Sequence, residues 1–241
     1  MSGAMGLLEV QDLTVEAGGK VVVDNTSLAL EEGEVLYLLG PNGTGKTSLI
    51  RSIVGYPGYN IVRGRVLLEG EDLTGKPMEY RVSRGLGLAH QLPPKLSGLR
   101  VRALLEAICS RTKCSADEIA SALQIQYLLD RDFGRGFSGG ELKRVELATL
   151  LAMRPKVGLI DEPDSGVDVD SVKVIADGIR ALMGVSRSVL IVTHSALISK
   201  YIRPTRVCLM LNRRIQYCGG PELVEEVFEH GFKGLVRGDQ V

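Results

Sequence analysis

The stretch Gly40-Pro41-Asn42-Gly43-Thr44-Gly45-Lys46-Thr47 fits the spacing G-x-x-x-x-G-K-[ST], an arrangement that wraps phosphate. Glycine at 43 and 45 opens backbone conformations closed to residues with a Cβ, so successive N–H groups can converge on phosphate oxygens. Lys46 is long enough to reach β- and γ-phosphates, the Thr47 hydroxyl can ligate Mg²⁺, and Ser48 completes the run. A second group, Asp161-Glu162, closes the apolar run Val157-Gly158-Leu159-Ile160. Asp161 is placed to hold Mg²⁺ through water, and Glu162 to polarise an attacking water. Such a base is typically worth about 10²–10⁴ in rate. The chemistry is phosphoryl transfer from a nucleoside triphosphate. A third group, Phe137-Ser138-Gly139-Gly140-Glu141, again sets glycines before a helix, with Ser138 as an extra donor. One nucleotide has no need of two cradles. A second molecule lending its cradle to the far side of the γ-phosphate would use both.

These groups need strands and helices to aim them. Val35 to Leu39 reads as a buried strand entering the phosphate loop. Leu49, Ile50, Ile53 and Val54 lie on one face of a helix leaving it, with Gly55 as its cap. Upstream, strands are expected at 7–15, 21–23 and 27–30, with a turn at Gly18-Gly19. Further strands are expected at 61–69, interrupted at Gly64, and at 85–90. Leu92-Pro93-Pro94 then breaks the pattern. Val101, Leu104, Leu105 and Ile108 mark one helix, and a capping box at Ser115-Ala116-Asp117-Glu118 opens another, so 92–136 reads as a mostly helical insertion. From Phe137 the pattern returns: a helix from about 140 to Pro155, strands at 157–160 and 188–192, and a helix through 172–183 between them. A hairpin turns around Asn212-Arg213, and a last helix runs from Pro221 to Gly231. Strands alternating with helices imply an α/β fold whose largely parallel sheet is covered on both faces.

Lys+Arg and Asp+Glu number 29 each, so no global field draws the 241-residue chain to nucleic acid. No apolar run approaches the roughly 18 residues of a membrane span, and the first residues lack the pattern of a secretory signal, so a cytoplasmic site is expected. Cys109, Cys114, Cys208 and Cys218 show no C-x-x-C spacing and read as small buried hydrophobes, reduced in a cytosol, with a redox or cluster-ligating role as the alternative.

The ordered set Gly40–Thr47, Gln91, Phe137–Glu141, Asp161-Glu162, Ser165-Gly166-Val167-Asp168 and His194 resembles that of ATP-binding cassette ATPases and spans nearly the whole chain. The resemblance implies a P-loop NTPase core formed by 7–91 and 137–241, with an N-terminal antiparallel β subdomain and an inserted helical subdomain at 92–136. It also implies a head-to-tail homodimer holding two ATP and two Mg²⁺. Gln91 would sit near the metal and link the core to the insertion. Ser138, Gly139 and Gly140 would close over the partner's γ-phosphate, Asp168 would communicate across the interface, and His194 would contact the γ-phosphate. One departure stands out. The family usually places an aromatic residue, stacking on adenine, at the position that is Ala17 here. Either Val21 or Val22 covers the base, or nucleotide selectivity is loose.

Within the family, several stretches resemble the ATPase subunit of the SUF iron–sulfur cluster assembly system. They are Asp164-Ser165-Gly166, Tyr59-Asn60-Ile61-Val62-Arg63-Gly64, Val174-Ile175-Ala176-Asp177-Gly178, Thr193-His194-Ser195, Tyr201-Ile202-Arg203-Pro204 and Asn212-Arg213-Arg214-Ile215. Pro163 is more typical of transporters. The resemblance implies soluble scaffold partners docking on the insertion, including Leu92, Pro93, Pro94, Leu96 and Leu99. The alternative is the nucleotide-binding subunit of a membrane transporter, docked on a permease.

Overall fold

The computed structural model describes residues 6–91, 96–195 and 197–235, the side chains of Leu96 and of 233–235 excepted. Leu92, Pro93 and Pro94 therefore lie outside the described residues.

In chain order, β1 (Leu8–Ala17) and β2 (Lys20–Leu30) form a hairpin; β3 (Val35–Leu39) leads to α1 (Lys46–Val54). Then come β4 (Asn60–Leu68), β5 (Glu71–Asp72), α2 (Met78–Arg84) and β6 (Leu86–Ala89). The next segment holds β7 (Leu96–Arg100), α3 (Val101–Thr112), α4 (Ala116–Ala122) and β8 (Asp132–Phe133). The chain closes with α5 (Gly139–Met153), β9 (Val157–Asp161), α6 (Val169–Met183), β10 (Ser188–Thr193), β11 (Arg206–Leu211), β12 (Arg214–Gly219) and α7 (Leu223–Leu235).

Six strands form the main sheet in the order β12-β11-β3-β10-β9-β6, parallel except for β12. A second, antiparallel sheet runs β2-β1-β4-β5. The uninterrupted apolar run of β3 follows from its place in the middle. Val35, Tyr37 and Leu39 enter one core with α3, α5 and α6, whereas Leu36 and Leu38 enter the other with α1 and the antiparallel sheet. β10 divides the same way, Val189 and Ile191 against Leu190 and Val192. A strand buried on both faces has no polar alternation to show.

Several expectations are corrected. The strands expected at 21–23 and 27–30 are the single β2. Asn25 takes φ 42° and the pairing with β1 shifts nearby, so the polar residues between the two runs are a bulge, not a turn. Gly64 lies inside a single β4 but does interrupt its pairing: it takes φ 87°, and the register with β1 shifts between Arg63 and Arg65. The segment 96–133 contains the strand pair β7-β8 besides its helices, and α2 was not anticipated. The cysteines are not free thiols. Cys208 and Cys218 are directly opposed partners of the β11-β12 hairpin, with Cα atoms 4.1 Å apart, and they form a disulfide. Cys109, in the last turn of α3, is bridged to Cys114 just beyond the left-handed cap at Lys113 (Cα–Cα 4.6 Å). Strand register and a helix cap created these proximities. Spacings of 10 and 5 residues did not display them.

Candidate functional site

The parallel strands end level with one another: Thr193 pairs with Leu39, Val192 with Asp161, and Ala89 with Ile160. The residues that follow them, Gly40, Glu162, His194 and Gln91, therefore emerge along the carboxyl edge of the sheet, where open α/β sheets bind ligands. The phosphate loop is held hard against its surroundings. Gly45 has φ 103°, and a Cβ there would lie 2.4 Å from the Val22 carbonyl oxygen. A Cβ on Gly40 would lie 2.2 Å from that of Met210. Gly43 is also left-handed, at φ 80°. The Thr44 hydroxyl donates to the Pro41 carbonyl at 2.9 Å, and Asn42, Gly43, Gly45, Thr47 and Ser48 face the cavity.

Lys46 is 4% exposed; its ammonium donates to the carbonyls of Gly40 (2.6 Å) and Pro41 (2.9 Å), leaving a third donor. Burial pulls its pKa down, against the opposing pull of Glu162 and Asp161. Thr47 Oγ1 donates to Asp161 Oδ1 at 3.0 Å. Burial pushes the Asp161 pKa up, and the Thr47 hydrogen bond opposes it. A hydroxyl beside a carboxylate is a pair of hard oxygens, the donor chemistry magnesium takes, so the residues fit that ion.

Glu162 takes φ 47°, so its side chain departs from the direction of Asp161. Two residues clasp the carboxylate: Gln91 Nε2 donates to Oε2, and His194 Nδ1 lies 3.0 Å from Oε1. Three further residues, to which the sequence alone assigns no role in the site, hold this group. Buried Asp164 accepts from Thr193 Oγ1 (3.0 Å) and from the Ile198 amide (3.1 Å), fixing the turn that carries His194. Lys143 of α5 donates to the carbonyls of Asp161 (3.2 Å) and Glu162 (2.8 Å), and burial lowers its pKa. Glu146, one turn further along α5, accepts from the His90 amide at 3.0 Å.

The cavity over the loop has a volume of about 450 Å³. Besides the loop, Gln91 and Glu162 line it, as do Lys20, Val21, Val22 and Arg213. Among the described residues no aromatic ring lines it, and Ala17 does not reach it. Ser138, Gly139, Gly140 and Asp168 do not line it either. They gather elsewhere, at the N-termini of α5 and α6. Ser138 caps α5 in a reciprocal box with Glu141: its hydroxyl accepts from the Glu141 amide at 3.2 Å, and its own amide donates to Glu141 Oε2 at 2.7 Å. Gly139 and Gly140 are packed so that a Cβ would lie 2.9 Å from the Gly166 carbonyl oxygen and 2.7 Å from Ser171 Oγ. Asp168 caps α6 through the Ser171 amide (2.9 Å) and hydroxyl (2.8 Å), bonds that hold its carboxyl below its usual range.

The sequence pattern of the family described as "ABC transporter" matches residues 23–165. A Streptococcus pyogenes protein named "Probable ABC transporter ATP-binding protein" is 33% identical over 97% of this chain and 96% of its own. An Escherichia coli protein named "Probable ATP-dependent transporter SufC" is 32% identical over 96% and 99% respectively. Among solved structures, a nucleotide-free ATP-binding cassette from an ABC transporter superposes with a TM-score of 0.79 at 25% identity, covering 96% of this chain and 98% of that one. The ADP conformation of another such cassette gives 0.77 at 26%, covering 98% and 100%. With more than half of the chain matched by the family pattern, and relatives aligned along nearly its whole length, the chain belongs to the ATP-binding cassette family and is one of its ATPases.

Proposed function

We propose that this ATPase works as a head-to-tail pair of identical chains with two ATP and two Mg²⁺ between them, and that it drives iron–sulfur cluster assembly as the ATPase subunit of a SUF scaffold complex in the cytoplasm. One observation carries the paired site: the second anion cradle, Ser138 to Gly140, stands apart from the cavity formed by its own phosphate loop. In this reading, the loop and Lys46 bind the triphosphate. Ser138, Gly139 and Gly140 of the second copy cover its far side, and Asp168 lies at the contact. Glu162, held in place by Gln91 and His194, accepts a proton from the attacking water, while His194 also faces the γ-phosphate. Thr47, Asp161 and the Gln91 side-chain oxygen would hold Mg²⁺. Bound there, the ion neutralises charge on the phosphate oxygens.

Mixing two inactive variants tests the pair. Lys46→Ala ruins the loop and Ser138→Arg ruins the cradle, but a mixed dimer retains one intact half of each kind facing the other. Trapping of one ATP per mixed pair, absent from either variant alone, is expected. No recovery on mixing would overturn the composite site.

The SUF assignment draws support from the likeness to the SufC-named relative and from the Asp164-Ser165-Gly166 run. Residues 92–136, including Leu92, Pro93, Pro94, Leu96 and Leu99, would dock soluble scaffold subunits. ATP-driven closure would then shift those subunits against each other. The second reading, a transporter motor docked on a permease, draws on Pro163 and on the transporter names of other relatives. Among the described residues no helix is long and apolar enough to cross a membrane. The disulfides bear on the compartment, since most cytosols keep thiols reduced whereas hyperthermophile interiors retain such bonds. Affinity capture from native cells should bring down soluble scaffold proteins. Capture of an integral membrane subunit alone would favour the transporter reading.

A further inference from the structure

The missing aromatic leaves open what packs on the base of the nucleotide. The cavity wall beyond the phosphate loop contains two valines, Val21 and Val22, and two cations, Lys20 and Arg213. Arg213 comes from the other end of the chain, outside the stretch matched by the family pattern, and sits at the tip of the β11-β12 hairpin. Asn212 (φ 50°) and Arg213 (φ 67°) are both left-handed, the geometry of a two-residue hairpin turn that favours Asn-Gly. An arginine in the glycine position accepts a steric cost that glycine would avoid, which invites a functional explanation.

The tip is also anchored. The Arg213 carbonyl accepts from the Asp24 amide at 2.9 Å and from the Thr26 hydroxyl at 3.4 Å, tying it to β2, the strand whose Val22 carbonyl abuts Gly45. The neighbouring Arg214 is neutralised by Asp24. By contrast, the Arg213 guanidinium has no hydrogen-bond or ion-pair partner among the described residues. The result is an unpaired planar cation on an anchored backbone, in the wall of the cavity that apolar Val22 also lines.

Guanidinium planes stack on aromatic faces and on nucleobases, which an ammonium cannot do with the same geometry. We propose that the Arg213 guanidinium packs on the face of the nucleotide's base with Val22 beside it, and that this platform favours purines by stacking area rather than by a hydrogen-bond pattern. The proposal rests on the phosphate loop being the nucleotide site.

The test is calorimetric titration of the wild type and of Arg213→Ala, Arg213→Lys and Arg213→Tyr with ATP, GTP, CTP and inorganic tripolyphosphate, each with Mg²⁺. Arg213→Ala should raise Kd for ATP and GTP about three- to tenfold, and Kd for CTP by less. Tripolyphosphate, which has no base, should bind as before, which also shows that the loop is folded. Arg213→Tyr should restore purine binding, and Arg213→Lys should not. Equal losses for ATP and tripolyphosphate would place the guanidinium on the phosphates and overturn the proposal. Undiminished binding of every ligand by Arg213→Ala would also overturn it. Failure of the underlying site is separable: Lys46→Ala would then leave both ATP and tripolyphosphate binding unchanged.

Discussion

Glu146 offers a quantitative test of how the site is supported. Its carboxyl, 7% exposed, accepts the His90 amide next to Gln91. Burial raises its pKa from 4.5 to about 7, against the smaller opposing pulls of the His90 hydrogen bond and of Lys143. An acid whose pKa rises on folding holds its proton more tightly when folded. Between those two values the folded chain keeps a proton that the unfolded chain has released, so stability falls as pH increases through the window. From pH 5 to pH 8 this one group should cost about 2.5 kcal/mol. Glu146→Gln keeps an oxygen to accept the His90 amide but cannot ionise. Urea unfolding of both proteins at pH 5 and pH 8 isolates the effect, because pH-independent changes cancel in the double difference. The variant should gain about 2–3 kcal/mol on the wild type between the two conditions. A double difference near zero would show that the carboxyl is solvated as in water. A negative one would show that the anion is the favoured form.

Glu162→Gln should slow ATP turnover by about 10²-fold or more while ATP-bound dimers accumulate, measurable by phosphate release and light scattering; unchanged turnover refutes its role as base. Arg81, 3% exposed, donates to the carbonyls of Ser52 and Ile53 at the end of α1 (both 2.9 Å) and of Lys76 (2.8 Å). Arg81→Met should lower stability by about 2–4 kcal/mol in urea unfolding, and an unchanged midpoint would mean that other groups satisfy those carbonyls. Gly64 has φ 87°, and a Cβ there would sit 2.3 Å from the Gln11 carbonyl oxygen, so Gly64→Ala should cost about 2–4 kcal/mol, read from the same unfolding curves. Denatured without reductant, the chain should show no titratable thiol, and after reduction four; thiols before reduction would contradict the two disulfides.

The site was legible wherever its chemistry needs residues close together in sequence. A phosphate loop, an acid pair at a strand end and a glycine cradle before a helix are local devices, written in consecutive letters, and the apolar runs beside them mark their strands and helices. The doubly buried strands were equally plain, because burial on both faces demands unbroken hydrophobicity. What the letters did not carry is which distant positions share a wall. Lys143 and Glu146 read as ordinary polar positions of a helix until α5 lies against β9 and the end of β6. Asp164 acts through a turn whose bonded residues lie 29 and 34 positions away, and its partners appear only when β10 pairs with β9. The Cys208–Cys218 bond depends on hairpin register, and Arg213 reaches the cavity over the phosphate loop only because β11 packs beside β3. Side-chain type and local spacing determine what a residue can do. Strand order and register determine which residues meet, and those are properties of the whole folded chain.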